Sequence, residues 1–149
     1  MSSYTAVMSD KNSNTVFPQT IKAAIIDDHD TPWGDWTSDG IVLLNGATPS
    51  DGSNDFPKYR KRVVQGNTQI QMIFVLKNLG AGNTNYVGIP GSLLPKVPTT
   101  MAILQPASGG QTASWLFDSG QSQLKLYQKT DGVYNANGGW FPFFGQWEV

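Results

Sequence analysis

The chain has 149 residues, a formal net charge of −1 from 10 Lys+Arg against 11 Asp+Glu, and no cysteine. That length makes one domain and buries enough surface to stand without a disulfide or metal, and the missing cysteines exclude thiolate metal sites, disulfide frameworks and cysteine nucleophiles. A single histidine excludes multi-histidine metal sites, and near-neutral charge with only two arginines, Arg60 and Arg62, argues against electrostatic binding of nucleic acid.

The acids are ten Asp and one Glu, Glu148, and Gly 16, Pro 9, ten Asn, twelve Ser and twelve Thr accompany them. Strong helix formers are scarce and strand and turn formers abundant, so an all-β domain is expected. The start of the chain has no basic segment followed by an apolar one, so no signal peptide is expected. No apolar run approaches the roughly 18 residues of a spanning helix, so membrane insertion is not expected either.

Residues 1–14 are polar and read as an arm or linker. Thr15–Asp28 is left as strand or short helix, because Ile21, Ala24, Ile25 and His29 share a helical face while Thr-Val-Phe before Pro18 reads as extended. Residues 1–30 are taken as an N-terminal arm or attachment segment and 31–149 as the head domain. Asp27 to Gly40 is a loop rich in Asp, Pro and Gly that must place Trp33 and Trp36. Ile41–Leu44 is a short strand ended by Asn45-Gly46, and residues 46–57 form a long loop. Lys58–Val64, a turn at Gly66-Asn67 and Thr68–Asn78 make an antiparallel hairpin, with Ile70, Met72, Phe74 and Leu76 on one face.

Gly80–Gly91 reads as a glycine-rich connection, and Leu93–Pro98 as a short stretch at a sheet edge. Met101–Gln105 is a strand turned by Pro106–Gly110. Thr112–Phe117 and Gln123–Gln128 flank Asp118–Gln121 as a second hairpin, with Ala113, Trp115 and Phe117 pointing one way. Trp140–Val149 closes the chain as a strand that is apolar on both faces, buried either between two sheets or in a subunit interface. Eight or nine short strands between Gly, Pro and Asn turns imply an antiparallel β-sandwich or barrel.

Candidate chemistry concentrates in loops. Saccharide binding needs aromatic faces for the C–H surfaces of sugar rings and polar side chains for the hydroxyls. His29, Asp30, Trp33, Asp35 and Trp36 carry both ingredients in one loop, although two tryptophans plugging the end of a sandwich would look the same in sequence. Asp27, Asp28 and Asp30 are oxygen donors of the kind Ca²⁺ uses, but without the EF-hand spacing no ion is expected there, and no cofactor elsewhere. Asp51–Asp55 reads as turn chemistry. Tyr134, Asn135, Asn137 and Trp140 form a second aromatic group at the entry to the last strand, with core or subunit packing as the alternative use of Trp140. Trp115, Phe117, Phe144 and Trp147 read as core.

Lys58, Arg60 and Arg62 share one face of their strand. That face is either solvated or, at an interface, suited to anionic phosphate-bearing polysaccharide. With no G-x-S-x-G sequence and no distinguished carboxylate pair, an enzyme is not expected.

Two stretches carry a family resemblance. Asp10-Lys-Asn-Ser-Asn-Thr-Val-Phe-Pro-Gln-Thr-Ile-Lys-Ala-Ala-Ile26 resembles a segment near the start of tail and baseplate proteins of phages that infect Gram-positive bacteria. From Trp36 to Val149, the order of features is similar to the head domain of phage receptor-binding proteins, including those of phages of lactic acid bacteria. That order runs through the basic Tyr59-Arg60-Lys61 hairpin start, the alternating strand after Gly66, Leu94-Pro95, Gln105-Pro106, the hairpin at Gly120 and the aromatic last strand.

The resemblance implies a jelly-roll-like β-sandwich head, a homotrimer, a place at the tail tip or baseplate beside other phage tail proteins, and binding to host cell-wall polysaccharide. Such heads usually follow a shaft or neck, which this chain almost lacks. On this reading His29, Asp30, Trp33, Asp35, Trp36, Arg60, Tyr134 and Trp140 are the expected saccharide contacts. A structural baseplate protein without receptor binding and a cellular carbohydrate-binding module are the rival readings.

Overall fold

A computed structural model of the chain describes residues 30–96, 101–134 and 139–149, together with two short strands, β1 (Met8–Ser9) and β2 (Thr15–Val16). These two pair antiparallel, Met8 opposite Val16, within the segment read as an arm. Nine further strands follow: β3 (Val42–Leu43), β4 (Thr48–Pro49), β5 (Lys58–Val64), β6 (Asn67–Lys77), β7 (Thr84–Gly88), β8 (Ile103–Ala107), β9 (Gln111–Asp118), β10 (Gln123–Lys129) and β11 (Phe141–Glu148). They form two antiparallel sheets packed on one another, an all-β sandwich.

The longest strand organises the first sheet. Along β6 every second side chain, Ile70, Met72, Phe74 and Leu76, is buried, while Gln69, Gln71, Ile73 and Val75 face outward and are half-covered. Period-two patterning of this kind fixes which face meets the core. β11 pairs with one edge of β6 from Phe141 opposite Leu76 to Glu148 opposite Gln69. β5 and then β4 pair with the other edge. The β5–β6 turn centres on Gln65 and Gly66, at φ 50° and 76°, one residue earlier than the sequence pattern suggests. Two successive left-handed residues match the twist of a two-residue hairpin.

The second sheet runs β3-β7-β10-β9-β8. β7 corrects the reading of Gly80–Gly91 as a mere connection: Thr84–Gly88 lies between β3 and β10, with Tyr86 and Val87 in the core. Glycines flank the strand, and a bulge opposite Leu124/Lys125 breaks its alternation, which hides it from pattern reading. The expected edge segment at Leu93 is also corrected. Gly91–Leu93 is a short 3-10 turn, Leu93 is fully buried, and its carbonyl accepts the Trp147 Nε1–H at 2.6 Å. β8 extends to Ala107, two residues past the expected strand.

The core joins the sheets through aromatic rings. Phe74 on β6 and Phe143 on β11 stand opposite one another and stack at 4.8 Å, and Trp115 from β9 meets both at 77°. Phe117 meets Trp147 at 4.8 Å in the same edge-on manner. Such pairs add about 0.5–1.5 kcal/mol each beyond the area they bury. Phe144 does not belong to this core, contrary to expectation: β11 alternates, with Phe141, Phe143, Gly145 and Trp147 inward, so Phe144 faces outward at 51% exposure. Trp140, just before β11, is also exposed rather than part of the monomer's core.

Gln105 closes the side of the sandwich where β8 and β11 adjoin. Its amide donates to the Phe144 carbonyl at 2.9 Å and accepts the Phe144 N–H at 3.3 Å, occupying an edge that β11 would otherwise leave unpaired. Among the described residues no helix is long and apolar enough to cross a membrane.

Candidate functional site

The tryptophan loop and the basic strand come together. Residues 30–37 run alongside β5 as a ribbon rather than a regular strand. The N–H groups of Thr31, Gly34 and Thr37 donate to the carbonyls of Val63, Lys61 and Tyr59, each at 2.9 Å. Three residues of the ribbon thus span what two residues of the strand span. Side chains at its N-terminal end fasten it further: Asp30 Oδ1 accepts the Gln65 N–H at 2.6 Å, and Thr31 Oγ1 accepts the Val63 N–H at 2.8 Å.

This three-to-two match sets the site. Trp33 and Trp36 repeat every third residue and Arg60 and Arg62 every second, so the ribbon brings them into alternation. The Arg60 guanidinium lies 4.6 Å from the Trp36 ring centre and 5.1 Å from that of Trp33; the Arg62 guanidinium lies 4.5 Å from Trp33. The order is Trp36, Arg60, Trp33, Arg62, a ladder of rings and cations. A cation over an indole is worth about 0.5–1 kcal/mol at an exposed site. Trp33 is half-buried, and Trp36 remains 37% exposed. Neither tryptophan plugs the sandwich end.

The ladder is anchored across the outer face of the sheet. Arg60 Nε donates to Gln71 Oε1 and Arg62 Nε to Gln69 Oε1, both at 2.8 Å. These are directly opposed cross-strand pairs. Gln71 then donates from Nε2 to Gln146 Oε1 at 3.0 Å, carrying the row onto β11. Arginine only donates, so each glutamine it contacts must turn its oxygen inward along the row. Orientation propagates from the arginines outward.

Of the expected contacts, the ladder unites Trp33, Trp36 and Arg60, with Asp30 fastening the ribbon and exposed Asp35 lying on it. Arg62, which the sequence places on the basic face beside Arg60, joins them together with Gln69, Gln71 and Gln146; none of these four is among the expected saccharide contacts. Arg62 was visible in the sequence as the partner of Arg60 two positions on; the glutamines were visible only as the polar half of an alternating strand.

Tyr134 and Trp140 are not brought to this place. Tyr134 Oη accepts the Lys129 N–H at 3.1 Å, next to β10, and the Trp140 carbonyl accepts the Ser108 N–H at 3.2 Å, beyond β8. Tyr134 belongs with the second sheet, and Trp140 bridges from the start of β11 to the turn after β8, whereas the ladder stands on β5. His29, Asp27, Asp28, Asn135 and Asn137 lie outside the described residues. Among the described residues no three His, Cys, Asp or Glu side chains gather as metal ligands.

Two other features are chemically quieter. An open groove of about 480 Å³ follows β8 and the next turn, lined by Leu104, Gln105, Pro106, Ala107 and Gly110 to Thr112, with no charged side chain. Buried Lys129 holds the chain after β10 by donating to Asp131 Oδ2 at 3.0 Å and the Val133 carbonyl at 3.1 Å. The Val133 N–H, and after it the Lys129 ammonium, lower the Asp131 pKa below its ordinary value. Comparison of the chain with protein-family models, curated proteins and solved structures found no match to any of them.

Proposed function

We propose that this chain is a recognition head that binds host cell-wall saccharide through the ladder face, as a homotrimer at the tail tip or baseplate of a phage. The observation that carries the reading is the outward Trp36–Arg60–Trp33–Arg62 ladder, held by four backbone bonds between the ribbon and β5 and anchored by Gln69 and Gln71. Aromatic and guanidinium groups fixed before the ligand arrives lose little side-chain freedom on binding. Their rigidity comes from the sheet beneath them. Half-exposed Trp36 offers ring surface to a sugar, while the arginines and glutamine amides offer polar contacts to its substituents.

The trimer draws support from a different place. Phe144 at 51% and Leu104 at 65% exposure stand on adjoining strands, and Leu104 lines the groove along β8. A second copy would cover such side chains. Three weak sites per trimer, and many trimers per particle, would raise avidity by orders of magnitude without any new contact.

Measuring the particle size in solution, with and without purified cell-wall polysaccharide from a Gram-positive host, tests the reading. A trimer that shifts on adding polysaccharide is expected. A trimer that does not shift fits a structural baseplate protein, and an inert monomer removes the proposal.

A further inference from the structure

The two ends of the ladder are fastened by different means. We infer that Asp30 and Thr31 are positioning residues: their side chains clamp the N-terminal end of the ribbon and hold Trp33 between Arg60 and Arg62. The clamp sets the affinity of the face for its ligand without touching that ligand. The inference rests on the saccharide reading above and concerns how the same site is kept in shape.

At the Trp36 end the fastening is main chain alone. Thr37 and Tyr59 exchange two N–H to carbonyl bonds, at 2.9 and 2.8 Å, as opposed residues of a regular antiparallel pair do. At the Trp33 end Val63 has the same two groups to place. Its carbonyl accepts the Thr31 N–H at 2.9 Å, but its own N–H donates to the Thr31 hydroxyl at 2.8 Å. The hydroxyl thus stands in for the carbonyl of a regular strand.

Asp30 adds a second clamp one residue earlier. Val64 and Asn67 form the last pair of the β5–β6 hairpin, which leaves the Gln65 N–H outside the strand ladder, and Asp30 Oδ1 accepts it at 2.6 Å. Hydrogen bonds to a carboxylate are stronger than those between neutral groups. Gln65 lies three residues past Arg62, about 10 Å along an extended chain. The Asp30 carboxylate is therefore engaged beyond the last rung, away from the rings and guanidiniums that face a ligand.

Trp33 depends on this clamp in a way that Trp36 does not. It is bracketed by Thr31 on one side and by Gly34 on the other, where one N–H to the Lys61 carbonyl makes the fastening. It is also the middle rung, with the Arg60 guanidinium at 5.1 Å and that of Arg62 at 4.5 Å. Among the described residues Trp33 is the ring against which Arg62 rests. Without the two side-chain bonds the ribbon would pivot at Gly34, and Trp33 and Arg62 would part. A ring set free in this way must be immobilised again on binding, which lowers affinity.

The test compares the full-length parent with an Asp30→Ala, Thr31→Val double variant. A conservative Asp30→Asn, Thr31→Ser pair keeps both acceptor oxygens and serves as the rescue. In the free proteins, the ring-current shift of the Arg62 Nε–H should shrink in the first variant, while Trp36 and Arg60 keep their parental signals. Affinity for purified cell-wall polysaccharide from a Gram-positive host should fall about three- to tenfold, with the melting temperature within a few degrees of the parent. The conservative pair should restore both shift and affinity, and Thr31→Val alone should show the same changes at smaller size. An Arg62 shift that stays parental overturns the clamp. A shift that shrinks while affinity holds overturns the link from clamp to ligand and leaves the saccharide reading standing. Restoration of the shift without the affinity makes Asp30 a direct contact and overturns its positioning role. Loosening of both ends of the ladder with a large fall in melting temperature overturns it as well. A parent that binds no polysaccharide removes the saccharide reading and the inference together.

Discussion

The two faces of one sheet carry two aromatic clusters with opposite physical characters. On the inner face, Phe74 and Phe143 stack against each other and against Trp115, all at most 2% exposed. On the outer face, Trp33 and Trp36 stack against arginines and stay in contact with water. Burial supplies most of the stabilisation in the first cluster. In the second, little apolar area leaves water, and the organising forces are backbone bonds and cation–ring contacts worth a fraction as much. Rings fixed in place without being buried contribute little to folding and remain available to a ligand.

If that contrast holds, removing an inner ring should cost far more than removing an outer one. Trp115→Ala should destabilise the domain by about 3–5 kcal/mol, lowering the melting temperature by roughly 2–4 °C per kcal/mol for a chain of this size. Chemical denaturation checks it, and a cost below about 1 kcal/mol would mean that the inner cluster is not the scaffold.

The outer cluster should respond at a smaller scale. A double-mutant cycle on Trp33 and Arg62 should give a coupling of about 0.5–1 kcal/mol, with neither single change unfolding the protein. No coupling would show that the ladder does not form in solution.

The smallest effect concerns the turn that follows β10, on the second sheet. The native Asp131 pKa is depressed by the Val133 N–H and by Lys129. Its contribution is therefore complete above the ordinary carboxylate pKa of the unfolded chain and disappears as pH falls through the lower native value. Amide exchange at Val133 should stay constant from neutral pH down to the ordinary carboxylate range, after correction for intrinsic rates, and rise only below it. Loosening already near neutral pH would show that the carboxylate does not hold this turn.

How much of this was readable from sequence depends on which force fixed each part. β6 was readable because one side of it is buried, and burial writes a period of two into Ile70, Met72, Phe74 and Leu76. β7 was not, because a bulge interrupts its period and glycines flank it. In β11 the run Phe-Pro-Phe-Phe is apolar at every position, so composition could not separate Phe143, which faces the core, from Phe144, which does not; pairing with β6 decides it. The site was half readable. Trp33, Trp36 and Arg60 are conspicuous residue types in a sequence with few charges. Their alternation, and the recruitment of Arg62, follow from three ribbon residues matching two strand residues, a register that only the folded backbone creates. Gln69 and Gln71 acquire meaning only from standing opposite the arginines.

The central claim, that the outer ladder is a recognition surface and not a packing element, is tested most directly by a Trp33→Ala, Trp36→Ala double variant. Its melting temperature and its binding to purified host cell-wall polysaccharide are measured on the same preparation. The account predicts a fold that melts within a few degrees of the parent and polysaccharide binding that is lost. Collapse of the fold, or binding that survives unchanged, would contradict it.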